Sequence, residues 1–215
     1  MKKEYSHIFW DWNGTLLNDV DWNIKITNEM LQNRQMAIFG NLDEYRDVFG
    51  FPIIDYYRKI GFDFADESFE EISTEYIERY HAQNTGSCGL YENAESVIRK
   101  IKENGLTQVI LTAAKTENLL FQIRDFNISH YFDDMLGLGD IQARSKIDVG
   151  LNYIRNNPVK KALMIGDSVH DFEVSQALGA DCLLLATGHQ SRKVLEKCGM
   201  PILGDISEVL GYISF

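Results

Sequence analysis

The chain has 215 residues, 45% of them hydrophobic and 25% charged, which is enough for one sizeable domain or a core with a smaller insertion. That composition disfavours disordered, collagen-like and low-complexity classes. The net charge of −11 argues against a nucleic-acid backbone as partner, because phosphate contacts need a basic surface.

Residues 5–11, YSHIFWD, read as a strand: an apolar run meets an aspartate, Asp11, and an Asn13-Gly14 turn follows. From 18 to 85 the pattern changes. In DVDWNIKITNEMLQNRQM, NLDEYRDVFG, PIIDYYRKIG and DESFEEISTEYIERYHAQN the apolar residues recur at helical spacing without clear strands, as in a small helical bundle inserted after the first strand. The loop NTGSCGLYEN, 84–93, carries turn-forming residues and is expected to return the chain to the core. Helix-like segments then follow at 93–105, 116–127, 145–157, 170–179 and 190–199. Strand-like runs lie among them: TQVILTA (107–113), ALMIGD (162–167), DCLLLAT (181–187) and MPILGD (200–205). This alternation implies an α/β protein with a mostly parallel sheet and helices on both faces.

No apolar run approaches the roughly 18 residues of a membrane span. The start, MKKEYSH, is basic but lacks the apolar stretch of a signal peptide, so the expected location is cytoplasmic, with no membrane partner. The cysteines, Cys88, Cys182 and Cys198, form no CxxC pair and no zinc spacing, and Cys182 reads as a small core residue.

Ligands of open α/β sheets bind beyond the carboxyl ends of the strands. The first strand ends at Asp11, the second at Thr112 and the third at Gly166-Asp167, while Lys146 starts a helix leading to the third. The run GDSVHD sets Asp167 and Asp171 four residues apart. Singly, each has an ordinary reading. Asp11 is a turn or capping aspartate, Asp171 a helix N-terminal acid, Lys146 a solvated lysine and Thr112 a strand residue. Together, three converging carboxylates repel one another unless a cation sits among them, and oxygen ligands of that kind suit Mg²⁺. Lys146 and Thr112 fit an anion beside that cation, which a chain of this net charge needs locally.

These motifs resemble those of the haloacid dehalogenase superfamily of phosphatases. The first, usually DxDGT, is DWNGT at 11–15; the second is Thr112 in VILTAA; the third is Lys146 in ARSKID; the fourth is GDSVHD. Their order and spacing are similar to the family's over the whole chain. The segments YRDVFGFPIIDYYRKIG and GLYENAESVIRKIKENG resemble the phosphoglycolate-phosphatase-like branch. The resemblance implies a Rossmann-like core (1–17 and 86–215) with an inserted helical cap (18–85). It implies an aspartyl-phosphate formed on Asp11, and Mg²⁺ held by Asp11, the main-chain carbonyl of Asn13, Asp167 and Asp171. Thr112, Ala113 and Lys146 would bind the phosphoryl group of a small phosphorylated metabolite. The chain is expected to be a monomer or homodimer.

Position 13 departs from the pattern. The family's phosphatases carry there an aspartate that protonates the leaving oxygen, and Asn13 has no such proton. Slow turnover of alkyl phosphates is one expectation, since acid–base help is worth about 10²–10⁴-fold. Asn13→Asp is then expected to raise that turnover. A preference for acyl phosphates or phosphoanhydrides is another, and a degraded relative that only binds a phosphorylated ligand or partner is a third. His170 is a candidate substitute acid. Retained Gly14-Thr15 and paired acids disfavour a dehalogenase, and neither Lys25 nor Lys59 has a context that marks it as a phosphonatase lysine. Trp12, Trp22 and Phe49-Gly50 are candidates to line the substrate gap, and Arg46 and Arg58 to meet a second anionic group.

Overall fold

The computed structural model describes residues 2–82, 88–139 and 145–215. Strand β1 (His7–Trp10) is buried along its whole length and sits in the middle of a six-stranded parallel sheet. In chain order the elements after it are β2 (Leu17–Asn18), α1 (Val20–Asn33), α2 (Leu42–Val48), α3 (Ile53–Lys59), α4 (Phe69–Ala82), β3 (Gly89–Leu90) and α5 (Ala94–Glu103). Then come β4 (Thr107–Lys115), α6 (Thr116–Ile123), β5 (Asp134–Leu138), α7 (Lys146–Asn156), β6 (Ala162–Gly166), α8 (Val169–Leu178), β7 (Asp181–Leu185), α9 (Arg192–Leu195) and β8 (Ile202–Leu203). The sheet order is β5-β4-β1-β6-β7-β8, and β2 pairs antiparallel with β3 in a separate ribbon.

Period-2 alternation on β1 assigns its side chains to two cores. Ile8 and Trp10 join Val97 and Ile98 of α5 and Leu119 of α6 on one face. Phe9 joins Tyr153 of α7 and Val174 of α8 on the other. Burying each such side chain is worth roughly 1.5–3 kcal/mol, so the strand that carries Asp11 is anchored from both sides. The helices α1 to α4 pack around a third cluster containing Ile26, Met30, Leu31, Tyr45, Tyr57 and Ile72.

The strands differ from the sequence reading in three places. The first is shorter, His7–Trp10, and Tyr5 lies ahead of it with its hydroxyl donating to Asp181 at 2.9 Å. The second does not end at Thr112: β4 runs on to Lys115, with its register against β5 shifting between Leu111 and Lys115. Strand β5 has no counterpart in the sequence reading; it is short, carries Gly137 and is largely half-exposed, so it lacks a strong apolar pattern. A Cβ on Gly137 would lie 2.6 Å from the Ala114 carbonyl oxygen, which is why that approach needs glycine. Residues 84–87 of the predicted return loop lie outside the described residues. Among the described residues no helix is long and apolar enough to cross a membrane.

Candidate active site

Asp11 follows β1 directly, and its amide donates to the Ile165 carbonyl at 2.9 Å, extending the ladder toward β6. The same ladder sets Asp167 beyond the end of β6. Asp171 lies in the first turn of α8, whose N-cap is Ser168. A carboxylate oxygen from each of Asp11, Asp167 and Asp171 lies within 4.8 Å of the others, and all three residues are buried. Lys146, the first residue of α7, is only 2% exposed and donates to Asp11 Oδ1 at 2.6 Å and Asp171 Oδ1 at 2.5 Å. The solvated-lysine reading is thereby excluded.

Asp171 is a helix N-terminal acid whose second oxygen is turned to the other carboxylates. Its Oδ2 accepts from the Ser168 hydroxyl at 2.6 Å and amide at 3.0 Å, closing a capping box, while Oδ1 holds Lys146. Asp11 Oδ2 accepts from Thr15 Oγ1 at 3.1 Å. Asp167 Oδ2 accepts from the His189 amide at 2.5 Å. A Cβ at Gly14 would lie 2.5 Å from Asp167 Oδ2, and one at Gly188 would lie 2.1 Å away. Backbone without side chains therefore closes around this carboxylate, and Gly14 also has a φ of +77° that suits glycine.

Burial pushes the carboxyl of Asp11 up to about 6, Lys146 opposing, and that of Asp167 up to about 7, His189 opposing. Burial also acts against charge on Asp171, but Lys146 and the Ser168 hydrogen bonds outweigh it and hold the carboxyl below its ordinary range. Burial disfavours the Lys146 ammonium too, yet Asp11 and Asp171 together raise its affinity for the proton. Three carboxylates around one ammonium leave an excess of two negative charges, the chemistry of a divalent-cation site with oxygen ligands. The donor set fits Mg²⁺.

Two residues that the sequence reading missed complete the site. Asp19, buried just before α1, accepts at Oδ2 from Asn13 Nδ2 (2.8 Å), Asn23 Nδ2 (2.8 Å) and the Tyr80 hydroxyl (3.1 Å). Its Oδ1 accepts from the Gly14 amide at 3.0 Å and lies 3.2 Å from His189 Nε2. Burial opposes charge on Asp19, but His189 and these donors outweigh it and keep the carboxyl below its ordinary range. The imidazole of His189 is raised in turn: burial disfavours its cation, and Asp19 more than compensates. The other ring nitrogen, Nδ1, lies 2.8 Å from the Tyr45 hydroxyl. A lone histidine in a turn gave no motif; NDVDW at 18–22 held the only sequence signal, an acid just past the first motif.

A cavity of about 900 Å³ opens from these carboxylates to the inner faces of α3 and α4. Asp11, Asn13, Thr112, Ala113, Lys146, Asp167 and Asp171 all line it. The Thr112 hydroxyl accepts from the Ala114 amide at 3.1 Å, shaping the turn where the β4 register shifts. Phe49 and His170 line the cavity as well, and the His170 ring lies over Phe51 at 4.8 Å. Other candidates are elsewhere. Trp12 is buried in the sheet core with its Nε1 donating to Gln122 at 2.8 Å, and Trp22 is buried among the helices. Arg46 donates to the carbonyls of Gly188 (2.7 Å) and Thr187 (2.5 Å) and so ties α2 to the loop after β7. Arg58 is an exposed partner of Asp55, Lys25 lies over Trp22, and neither these nor Lys59 or Gly50 lines the cavity.

Comparison with known proteins agrees with this geometry. Residues 8–185 match the family described as haloacid dehalogenase-like hydrolase. The chain is 24% identical to a phosphoglycolate phosphatase of Rhodobacter capsulatus over 188 residues, 85% of each protein. It is 21% identical to the pyrophosphatase PpaX of Halalkalibacterium halodurans over 172 residues, 78% of this chain and 77% of that one. Among solved structures, the protein tyrosine kinase A of Mycobacterium tuberculosis superposes with a TM-score of 0.80 at 20% identity, covering 97% of this chain and 98% of the other. This last likeness concerns the fold alone.

Proposed function

The chain belongs to the haloacid dehalogenase-like hydrolases, and from that premise we propose that it is a magnesium-dependent phosphatase acting through an aspartyl-phosphate on Asp11. One observation carries the reading: Asp11 stands at the cavity floor with Asp167 and Asp171 within 4.8 Å and Lys146 at 2.6 Å. In this reading residues 18–85 cap a core made of 1–17 and 86–215. Small phosphorylated compounds, the substrate class in the name of the Rhodobacter relative, are the substrates.

A carboxylate oxygen of Asp11 attacks phosphorus, the bond to the leaving oxygen breaks, and that oxygen departs with the electron pair. Water then attacks the acyl phosphate, releasing inorganic phosphate and restoring the carboxylate. Mg²⁺, held by Asp11, Asp167, the main-chain carbonyl of Asn13 and Asp171 directly or through water, would supply the positive charge that lets an anionic nucleophile approach an anionic ester. Lys146 orients Asp11 and balances charge on the phosphoryl group, while Thr112 and Ala113 offer the hydroxyl and amide that position its oxygens. Phosphate release from nitrophenyl phosphate with saturating magnesium tests this. Asp11→Ala is expected to lose turnover to background while melting as a folded protein. A folded Asp11→Ala variant with wild-type turnover would overturn the assignment.

A further inference from the structure

The cavity wall opposite Asp11 has a composition that bears on the leaving group. Phe49, Phe51, Tyr56, Tyr57, Phe69 and Tyr76 line the helical side. The carboxylates that this side contributes are Glu70 and Glu78, and the His81 imidazole lines it as well. Among the described residues, no lysine or arginine of α1 to α4 lines the cavity. Several nearby cations are occupied elsewhere: Arg34 holds Glu67 and Glu75, Arg79 holds Glu75, and Arg46 holds carbonyls. On the sheet side, Lys146 is committed to two carboxylates, and Lys115 shares its rim with Glu117. A second carboxylate or phosphate on a substrate, turned toward the helical side, would therefore meet aromatic rings and acids with no described lysine or arginine there to pair it.

Position 13 adds an independent constraint. The Asn13 amide has no transferable proton and is spent on Asp19, to which it donates at 2.8 Å. A leaving group that departs without a proton is favoured. A phenol loses its proton near about 10, as tyrosine does. An alkoxide is a far stronger base, comparable to hydroxide, whose acid has a pKa of about 15.7. We infer that the substrate is the phosphate monoester of a phenol that carries no second anionic group. The inference rests on the phosphatase reading above and narrows it. The P–O(aryl) bond breaks with its electron pair on the aryl oxygen, and solvent protonates the phenolate after departure. The ring packs against the wall's aromatics at the separations of about 4.5–7 Å that aromatic pairs prefer.

Intrinsic reactivity also favours aryl esters, so recognition is tested with unreactive phosphonates in calorimetric titrations of the full chain at saturating magnesium. Phenylphosphonate is expected to bind about 10-fold tighter or more than 4-carboxyphenylphosphonate, a difference of about 1.4 kcal/mol. Phe51→Ala, at a partly exposed position, is expected to weaken phenylphosphonate several-fold and leave inorganic phosphate unchanged. Equal or tighter binding of the carboxylated compound overturns the inference, as does equal weakening of both ligands by Phe51→Ala. Turnover gives a second arm. Phenyl phosphate is expected to exceed cyclohexyl phosphate in kcat/KM by about 10²-fold or more, since the missing acid is worth that much. Parity between them overturns this inference alone. Absence of magnesium-dependent turnover on every ester, with phenylphosphonate still bound, overturns the phosphatase reading and leaves the recognition standing.

Discussion

The side-chain amide of Asn13 donates to Asp19 Oδ2 at 2.8 Å, so a carboxylate does stand beside position 13, held on a different residue. This changes what restoring an acid there would do. Asn13→Asp alone would bring two carboxylates into contact in a buried pocket, where both cannot stay ionised. The single variant is expected to lose several degrees in Tm, at about 2–4 °C per kcal/mol for a chain this size, and to gain little on alkyl phosphates. Exchanging both partners, Asn13→Asp with Asp19→Asn, keeps one amide and one carboxylate. The double variant is expected to recover the Tm and to gain about 10-fold or more on cyclohexyl phosphate. Calorimetry and phosphate release on both variants decide it; a stable single variant with the full gain would mean that the Asn13–Asp19 contact does not govern this position.

Lys146 is a second position where a buried contact predicts a large effect. Its removal strands Asp11 and Asp171 with no cation between them. Breaking a buried pair from one side costs about 3–5 kcal/mol, and Lys146→Ala is expected to fall in that range in denaturant titrations without metal. Magnesium is expected to return part of the loss, because a divalent cation offsets the same charge. A variant within about 0.5 kcal/mol of wild type would show that water reaches these carboxylates freely.

The helices and most of the sheet were legible in the sequence because their signals are local. Segments such as NAESVIRKIKENG and HDFEVSQALG carry helical periodicity and their own stops; α5 lies within the first, and α8 begins one residue before the second. Asp11, Lys146, Asp167 and Asp171 were legible because their spacing matches a known plan. Three things were not. The strand DMLGL pairs through its backbone while showing few buried side chains. Asp19 and His189 meet only when 170 residues of chain fold between them. Arg46 looked free to meet a substrate anion because a sequence shows its charge but not the two carbonyls that hold it.

Those carbonyls make Arg46 a structural tie. Its two donations to Thr187 and Gly188, with Gln190 Nε2 donating to the Phe49 carbonyl at 2.8 Å, fasten α2 to the loop beside Asp167. Hydrogen bonds from charged groups contribute about 1.5–3 kcal/mol each. Arg46→Ala is expected to speed limited proteolysis within 42–61 and raise KM for aryl phosphates several-fold, because the aromatic wall is no longer held over Asp11. Unchanged proteolysis and KM would show that the helices are held by their own core instead.

The last prediction concerns pH. The carboxyls of Asp11 and Asp167 titrate at about 6 and about 7 in the folded chain, against an ordinary value of 3.8, chiefly because they are buried. Between about pH 4 and 7 the folded chain therefore binds more protons at these groups than the unfolded chain does. Stability then falls as pH rises across that window. His189 acts in the same direction: its proton is held more tightly in the fold, and that contribution is lost as pH rises through its folded value. Asp171 and Asp19 act oppositely, since their carboxyls are lowered, but their contribution is complete above about pH 4 and is lost only below it. Metal-free protein is expected to melt at a lower temperature at pH 7.5 than at pH 5, at matched ionic strength. Magnesium must compete with protons on Asp11 and Asp167, so it is expected to raise Tm more at pH 7.5 than at pH 5. The comparison is cleanest against Asp167→Asn, which removes one of the two raised carboxyls. That variant is expected to show a shallower pH dependence without metal and a smaller magnesium shift. If wild type and Asp167→Asn respond to magnesium equally at both pH values, Asp167 is not among the ion's ligands and the cation is held elsewhere.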